Sequence, residues 1–354
     1  MSDTLKVTID GMEVEAKRGE TILELAKRIG IHIPTLCYHP RLPIAGACRV
    51  CVVEVEGARS LVASCAFPIE QDGMVIKTNT ERVMAARRMV VELLLASGDH
   101  NCLLCESNGN CELQDLVYEM KIERPRFPIE SPGHPLDDSN PMILRDLNKC
   151  ILCGRCVRAC NEVQVNRVID FGYRGTRTKI VTAADSNYDE SNCYFCGECV
   201  QVCPVGALVE RKARFAGRPW QVKKVPTICT YCGTGCTLDL NIVDGRVVKV
   251  TGNEDGVVNR GSLCVKGRFG YDFIHHEDRL TKPLIKENGG FREASWDEAL
   301  TLVAKRFAEI KAKYGPDSIA ALSSARCTNE ENYLMQKFMR AVIGTNNIDH
   351  CARL

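Results

Sequence analysis

The sequence predicts a multidomain α+β chain, in which four small cysteine-bearing modules precede the start of an α/β layer. Three observations support this prediction. The chain has 354 residues, which is enough for several small domains. It contains 21 cysteines, most of which fall into five compact groups. Strand-like and helical stretches alternate around these groups, and no apolar run is long enough to span a membrane.

The composition excludes several classes of protein. The formal net charge is +1, from 46 basic and 45 acidic residues, which argues against a nucleic-acid or anionic-membrane partner. The N-terminus contains neither an apolar signal core nor twin arginines, so we expect a cytoplasmic protein. Because the cytosol keeps thiols reduced, so many cysteines are more typical of metal ligands than of disulfides.

The first group has the spacing C-x10-C-x2-C-x13-C and comprises Cys37, Cys48, Cys51 and Cys65. Before it, the sequence predicts a hairpin that turns at Asp10-Gly11 and a short helix that begins at Thr21. Strands are predicted at 50–55 and 74–77. This order is typical of a β-grasp ferredoxin, so we expect residues 1–79 to bind one [2Fe–2S] cluster. Zinc is the alternative, but zinc sites usually contain two tight cysteine pairs.

The second group follows an amphipathic helix predicted over residues 81–97. It reads H-x-C-x2-C-x5-C and comprises His100, Cys102, Cys105 and Cys111. Three thiolates and one imidazole can hold a [4Fe–4S] cluster, and the imidazole makes the site less negative. The alternative for the histidine is a solvated loop residue, with another ligand in its place. We expect residues 80–140 to form this module.

Residues 141–220 contain two runs with the same spacing, C-x2-C-x2-C-x3-C. Bacterial two-cluster ferredoxins have this pattern, and the fourth cysteine of each run crosses to the other cluster. The third group, for one [4Fe–4S] cluster, is then Cys150, Cys153, Cys156 and Cys203. The fourth group, for another, is Cys193, Cys196, Cys199 and Cys160. Zinc is a poor alternative for two complete runs of this kind.

The fifth group has the spacing C-x2-C-x3-C-x27-C, within residues 221–280. It comprises Cys229, Cys232, Cys236 and Cys264. A hairpin is predicted between its last two cysteines. Spacing alone leaves zinc nearly as favoured as iron, since a zinc ribbon is similar. The four groups upstream favour a fourth [4Fe–4S] cluster.

The run Cys264-Val265-Lys266-Gly267-Arg268-Phe269-Gly270 and the run DRLTKPL at 278–284 resemble the molybdopterin oxidoreductases. Within that family the chain is most similar to the catalytic subunit of cytoplasmic formate dehydrogenases. The resemblance implies reversible oxidation of formate to carbon dioxide, at a bis-molybdopterin guanine dinucleotide that holds molybdenum or tungsten. It also implies that Lys266 lies between the fifth cluster and the pterin.

The N-terminal 220 residues or so resemble the module shared by [FeFe]-hydrogenases and the large iron–sulfur subunit of respiratory complex I. The related proteins usually space the histidine of the second group H-x3-C. Here His100 precedes Cys102 by only two positions, and Gly98 stands where the usual histidine would fall.

We expect residues 281–354 to form the start of an α/β molybdopterin-binding domain. A capping box at Ser295–Glu298 begins a helix that Gly315-Pro316 ends. Further elements are predicted at 318–322, 329–343 and 347–350.

The last residues, His350-Cys351-Ala352-Arg353-Leu354, resemble the run that directly precedes the metal-binding selenocysteine or cysteine of formate dehydrogenases. We therefore expect the catalytic residue at the position after Leu354, at a UGA codon, and none within the chain. By this interpretation the fragment alone is inactive, and the full-length parent is the enzyme.

Five clusters in one chain indicate an electron-transfer path to a partner. The expected partner is a flavin and iron–sulfur diaphorase-type subunit, a ferredoxin or a hydrogenase subunit. No G-x-G-x-x-G motif opens a helix after a strand, so any nicotinamide chemistry belongs to another subunit. The alternative function is an electron-transfer subunit of a hydrogenase or complex I-like assembly without its own pterin chemistry. A zinc-rich interaction protein is a third hypothesis, and it would be colourless.

Overall fold

The computed structural model describes residues 4–351, which fall into two compact units that meet in sequence between Val222 and Lys223. The three C-terminal residues Ala352–Leu354 lie outside the described range, as do the first three. In the part of the chain that is described, no helix combines the length and the apolar character that a membrane span requires.

A five-stranded sheet with the order β2-β1-β5-β3-β4 begins the first unit. Its strands are β1 (Thr4–Ile9), β2 (Met12–Lys17), β3 (Val52–Val55), β4 (Val62–Ala63) and β5 (Val75–Lys77). Strands β1 and β2 form the predicted hairpin, whereas β1 and β5 run parallel. Helix α1 (Ile22–Arg28) begins with the predicted capping box, in which Thr21 and Glu24 bond each other's backbone amides. Its buried apolar side chains pack against the sheet.

Helices α2 (Glu81–Ala96) and α3 (Glu112–Glu119) follow the sheet and lie on either side of the second group in the sequence. Together with later segments they enclose a set of buried apolar side chains, the shared apolar cluster: Leu36, Val50, Val91, Leu113, Leu116, Met120, Ile122, Ile151, Val205 and Ala207. Cysteines of three different groups pack against it: Cys48, Cys111, Cys150, Cys153 and Cys203. The first three cysteine groups therefore border one apolar core.

The repeated cysteine spacing gives a repeated local structure. One-turn helices α4 (Arg155–Arg158) and α5 (Glu198–Gln201) each follow a glycine in the left-handed region, Gly154 at φ 70° and Gly197 at φ 72°. Only glycine adopts this conformation without strain, and it turns the chain around the cysteines on either side. Two antiparallel pairs complete the region: β6 (Ile143–Arg145) with β9 (Leu208–Glu210), and β7 (Ile169–Gly172) with β8 (Lys179–Thr182).

The second unit begins with an antiparallel sheet in the order β10-β11-β12. Its strands are β10 (Lys223–Ile228), β11 (Thr237–Val243) and β12 (Arg246–Gly252). The later elements, in chain order, are α6 (Val265–Phe269), β13 (Leu284–Glu287), β14 (Gly290–Glu293), α7 (Trp296–Tyr314), β15 (Ala321–Ser323), α8 (Asn329–Lys337) and β16 (Ile348–His350). Strands β15 and β16 pair in parallel, as an α/β layer requires.

Two local predictions in the second unit are wrong in detail. The strand predicted over 318–322 begins later, as β15 (Ala321–Ser323), because Pro316–Ser318 form a 3₁₀ turn first. The capping box at Ser295 forms only one of its two bonds. Ser295 Oγ accepts the Glu298 amide at 3.1 Å, but the Glu298 carboxylate pairs with Arg292 at 2.5 Å. A nearby guanidinium therefore replaces the Ser295 amide as the partner of this carboxylate.

Candidate metal centres

The four cysteines of the first group form two close pairs. Cys37 and Cys48 exchange backbone amide bonds to each other's sulfur, at 3.4 and 3.5 Å, and the Cys51 and Cys65 sulfurs lie 3.4 Å apart. The hydrogen bond between the Cys51 and Cys65 sulfurs lowers the pKa of Cys51, which favours a thiolate there. Each iron of a [2Fe–2S] cluster takes two protein ligands, and two thiol pairs suit that requirement.

The second group lies against the turn that follows Cys203. Cys102 begins a 3₁₀ turn and Cys111 caps helix α3. Cys105 Sγ packs directly over the backbone of Gly206, where any side chain would collide with it. Glycine at this position is therefore required for the second group to approach the third.

The His100 ring occupies the space beside Gly98. A Cβ atom at position 98 would lie 2.9 Å from His100 Nε2 and 2.7 Å from the Asn148 carbonyl oxygen. The ring of His100 thus excludes a side chain at the position where related proteins have their histidine. Nε2 lies 3.0 Å from the Leu94 carbonyl oxygen, so it carries the proton and leaves Nδ1 as the nitrogen that can bind metal. Burial lowers the pKa of His100, which keeps the ring neutral.

The third group lines one cavity, and the fourth group lines another. The wall of the first cavity includes all four cysteines of the third group, Cys150, Cys153, Cys156 and Cys203. The wall of the second includes Cys160, Cys193, Cys196 and Cys199, the fourth group. The last cysteine of each run is thus beside the first three of the other. Burial raises the pKa values of Cys150 and Cys153 to about 12, so without a bound cation these thiols stay protonated.

Tyr188 lies between these two cavities and lines both. It is one of the largest fully buried side chains of the described residues, at 1% exposure. Burial raises the pKa of the Cys199 thiol, which lines the second cavity together with Tyr188. Tyr188 was not among the residues predicted from the sequence, because an isolated tyrosine between two cysteine runs carries no spacing signal.

Two arginines anchor the loop between Cys37 and Cys48 to the later cysteine runs, and sequence reasoning missed both. Arg41 on this loop forms a buried ion pair with Glu198, at 2.7 Å, next to Cys199 of the fourth group. Arg158, at the end of α4, donates to the Cys37 carbonyl oxygen at 2.5 Å. The first group is thereby attached to the loops of both the third and the fourth.

The fifth group is built around the β10–β11 turn and the start of α6. The amide of Cys229 donates to the Cys236 carbonyl oxygen at 2.8 Å, and Cys264 immediately precedes α6. Burial raises the pKa of Cys229, and a hydrogen bond from the Tyr231 backbone amide partly offsets this effect. Lys266 Nζ lies 6.0 Å from the centre of the Tyr231 ring, on the same helix end as Cys264.

Thiolates are the preferred ligands of iron–sulfur clusters, and the third and fourth groups each bring four cysteines to one cavity. Across residues 4–351, no three His, Cys, Asp or Glu side chains converge closely enough to hold a single metal ion. The third and fourth groups instead each line a cavity, which is the arrangement expected around a cluster of several metal ions. Of the two lone cysteines, Cys327 is partly buried, and Cys351 lies near Ser324, with 3.3 Å between Sγ and Oγ.

Five family models match successive parts of the chain. They are the 2Fe-2S iron-sulfur cluster binding domain at 2–81, the NADH-ubiquinone oxidoreductase-G iron-sulfur binding region at 87–126, the 4Fe-4S dicluster domain at 149–207, the molybdopterin oxidoreductase Fe4S4 domain at 222–276 and the molybdopterin oxidoreductase model at 279–354.

Curated relatives match the chain over nearly its whole length. They include the NADPH-Fe(3+) oxidoreductase subunit alpha of Geobacter sulfurreducens (38% identical), an NADH-quinone oxidoreductase subunit of Rhizobium meliloti (40%) and a Bacillus subtilis protein named "Putative formate dehydrogenase YrhE" (36%). Each match covers 99% of this chain and 40% of the relative, so the chain spans about two fifths of their length.

Among solved structures, a chain of an NAD+-reducing [NiFe]-hydrogenase matches with a TM-score of 0.56 and 34% identity. The match covers 60% of this chain and 90% of that one. Similarity to the hydrogenase chain therefore extends over most of that chain but only part of this one.

Proposed function

Because this chain belongs to the molybdopterin oxidoreductases that carry N-terminal iron–sulfur domains, we propose that it is the electron-transfer and first cofactor-binding portion of a formate dehydrogenase. The run at 264–270 and the name of the Bacillus relative support formate as the substrate. The observation that carries the electron-transfer role is the placement of the cysteines. Two thiol pairs and two cysteine-lined cavities lie within one compact unit.

In this proposal the five groups hold one [2Fe–2S] and four [4Fe–4S] clusters, with His100 Nδ1 as a ligand of the second group. The proposed domains are residues 1–79, 80–140, 141–220, 221–280 and 281–354. The reducing cytoplasm would keep the thiols available for iron.

A bis-molybdopterin guanine dinucleotide with molybdenum or tungsten, when bound, supplies the two-electron oxidation of formate. The clusters that the cysteines of this chain would hold accept one electron at a time, so they would divide that pair into single electrons. Lys266 places a positive charge beside the fifth group, where it favours the reduced, more negative state of a cluster. It is also the residue that would contact the pterin.

Contacts within the first unit support a continuous path. Cys105 touches Gly206 near the third group, Arg158 joins the first group to the third, and Tyr188 lies between the third and the fourth. Cys102 is exposed, whereas the other grouped cysteines described in this unit are buried or partly buried. We therefore propose that electrons leave near the second group, toward a diaphorase-type subunit, a ferredoxin or a hydrogenase subunit.

A second candidate is an electron-transfer subunit of a hydrogenase or complex I-like assembly without pterin chemistry. The likeness to nearly all of a hydrogenase chain favours it, as does the NADH-quinone oxidoreductase relative. The two candidates share the clusters and differ in the source of electrons.

Anaerobic purification of the full-length protein that contains this chain tests both. The chain should bring about eighteen irons, two in the first group and four in each of the others. Formate should bleach the visible absorbance of the clusters. Iron near two with stoichiometric zinc would refute cluster binding by the other four groups. A full iron content with no response to formate would favour the second candidate.

A further inference from the structure

Arg158 lies between the first and third groups and contacts the backbone of both. Its Nη2 donates to the carbonyl oxygen of Cys37 at 2.5 Å and to that of Cys153 at 3.4 Å. Its Nη1 donates to the Pro43 carbonyl oxygen. One nitrogen atom thus joins a cysteine of the first group to a cysteine of the third.

The charge of Arg158 has no carboxylate beside it in the described structure. The residue is 9% exposed, and its hydrogen bonds go to carbonyl oxygens. A buried cation without an anion is costly. The contrast is Arg155, three residues earlier, whose two terminal nitrogens pair with both oxygens of Glu112 at 2.5 and 2.7 Å. The thiolate-bound clusters of the proposed function would supply the anions that Arg158 lacks.

Apolar packing holds the same junction together. Leu42, on the loop between Cys37 and Cys48, packs with Ala159 and Val202 in a small buried cluster. The first and third groups are therefore neighbours, and Arg158 fills the polar part of their boundary.

We propose that Arg158 is a positioning residue that sets the distance between the first and third clusters and supplies their common counter-charge. The inference rests on the proposed cluster binding and names the link through which the first cluster exchanges electrons. In each exchange one cluster loses a single electron and the other gains it, and no bond or proton changes. A cation at this boundary favours the reduced state of both clusters.

The test compares Arg158→Gln and Arg158→Lys in the full chain, purified anaerobically. Redox titration followed by electron paramagnetic resonance gives the reduction potentials of both clusters. The relaxation of the [2Fe–2S] signal, which a reduced neighbouring cluster accelerates, gives their coupling. We expect Arg158→Gln to shift both reduction equilibria by about tenfold, or about 59 mV for one electron, and to slow the relaxation. Arg158→Lys should restore the potentials but not the relaxation, because an ammonium lacks the rigid planar fork that holds the Cys37, Cys153 and Pro43 carbonyls together.

Arg155→Lys is the matched control, since it alters a buried arginine on the same helix. It should change the third cluster only. The inference would be overturned if Arg158→Gln left both the potentials and the relaxation unchanged. If the Gln variant does not load iron, unchanged relaxation in Arg158→Lys would overturn it instead. The inference would also fail if Arg155→Lys shifted the potential of the first cluster as much as Arg158→Gln does. Absence of iron from the wild-type chain would instead refute the proposed function.

Discussion

The guanidinium of Arg145 lies over the ring of Tyr188, 4.7 Å from its centre, with both side chains buried. Asp137 holds both residues in place. Its carboxylate accepts the Arg145 Nε–H at 3.1 Å and the Tyr188 backbone amide at 3.2 Å. This arrangement fixes Tyr188, which lines both the third-group and fourth-group cavities.

Replacing Asp137 by Asn should strongly destabilise the first unit. Removing one partner of a buried ion pair leaves the Arg145 charge uncompensated and costs about 3–5 kcal/mol. Chemical denaturation of the anaerobic protein measures the loss. Asp138→Asn is the matched control, because this neighbour is 59% exposed and lies 3.9 Å from Arg211, and it should cost under about 1 kcal/mol. Equal effects of the two variants would contradict the buried-pair interpretation.

The stabilisation by Asp137 should disappear in acid. Burial raises the pKa of Asp137, but hydrogen bonds from Ser139 and the charge of Arg145 outweigh it and hold the pKa below its usual range. A carboxyl with a lowered folded-state pKa stabilises the protein above its unfolded pKa and loses that effect as pH falls through the folded pKa. The difference in unfolding free energy between wild type and Asp137→Asn should therefore shrink below about pH 4. A constant difference down to about pH 2 would rule this out.

His100→Ala should remove or alter one cluster signal in electron paramagnetic resonance and leave the others intact. The ring has a single nitrogen free for metal, because Nε2 is bonded to Leu94. His32→Ala is the control, since the His32 side chain is 75% exposed and lies near Glu119. An unchanged spectrum would make His100 a loop residue that only fills the space beside Gly98.

Gly206→Ala should displace Cys105 and impair the second group selectively. Because the added methyl group would collide with Cys105 Sγ, the variant should bind about four fewer irons while the third-group signal persists. Gly290→Ala provides the comparison, because the nearest neighbouring atom lies 3.9 Å from the added carbon. Full iron content in Gly206→Ala would show that the turn can shift without loss.

Lys266→Ala in the full-length enzyme should slow electron exit more than formate binding. Loss of the cation beside the fifth group changes the potential of a cluster there and removes the contact toward the pterin. Rapid mixing with formate should show normal reduction of the metal followed by slow reduction of the clusters. The exposed Lys282, 2.6 Å from Glu293, offers a control substitution to Ala. Cluster reduction at the wild-type rate would reject the role of Lys266.

Local features of this fold could be predicted from the sequence, and long-range ones could not. The capping box at Thr21, the hairpin at Asp10-Gly11 and the repeated turns at Gly154 and Gly197 depend on nearby residues. The repeated spacing also indicated which cysteines of the two runs lie together, although cluster binding itself stays a prediction. The link from Arg158 to Cys37 joins positions 121 residues apart, so no local pattern encodes it.

The His100 geometry illustrates the same limit. The H-x-C spacing of His100 differs from the usual H-x3-C, and this difference argued against His100 as a ligand. The sequence alone treats Gly98 and His100 as separate positions. In three dimensions the His100 ring fills the volume beside Gly98, where a side chain at position 98 would collide with it. A motif does not record the side-chain volume that couples these two positions.

The shared apolar cluster has a consequence for protein engineering with these modules. It draws on residues from three of the predicted domains, from Leu36 through Val91 to Val205. A chain cut at residue 79 or 140 would divide this core and expose its leucines and valines to water, at a cost of about 25 cal/mol for each Å². The first 220 residues should therefore be transplanted into a designed redox chain as one piece, and oxygen damage to any one of the first three groups should loosen the other two.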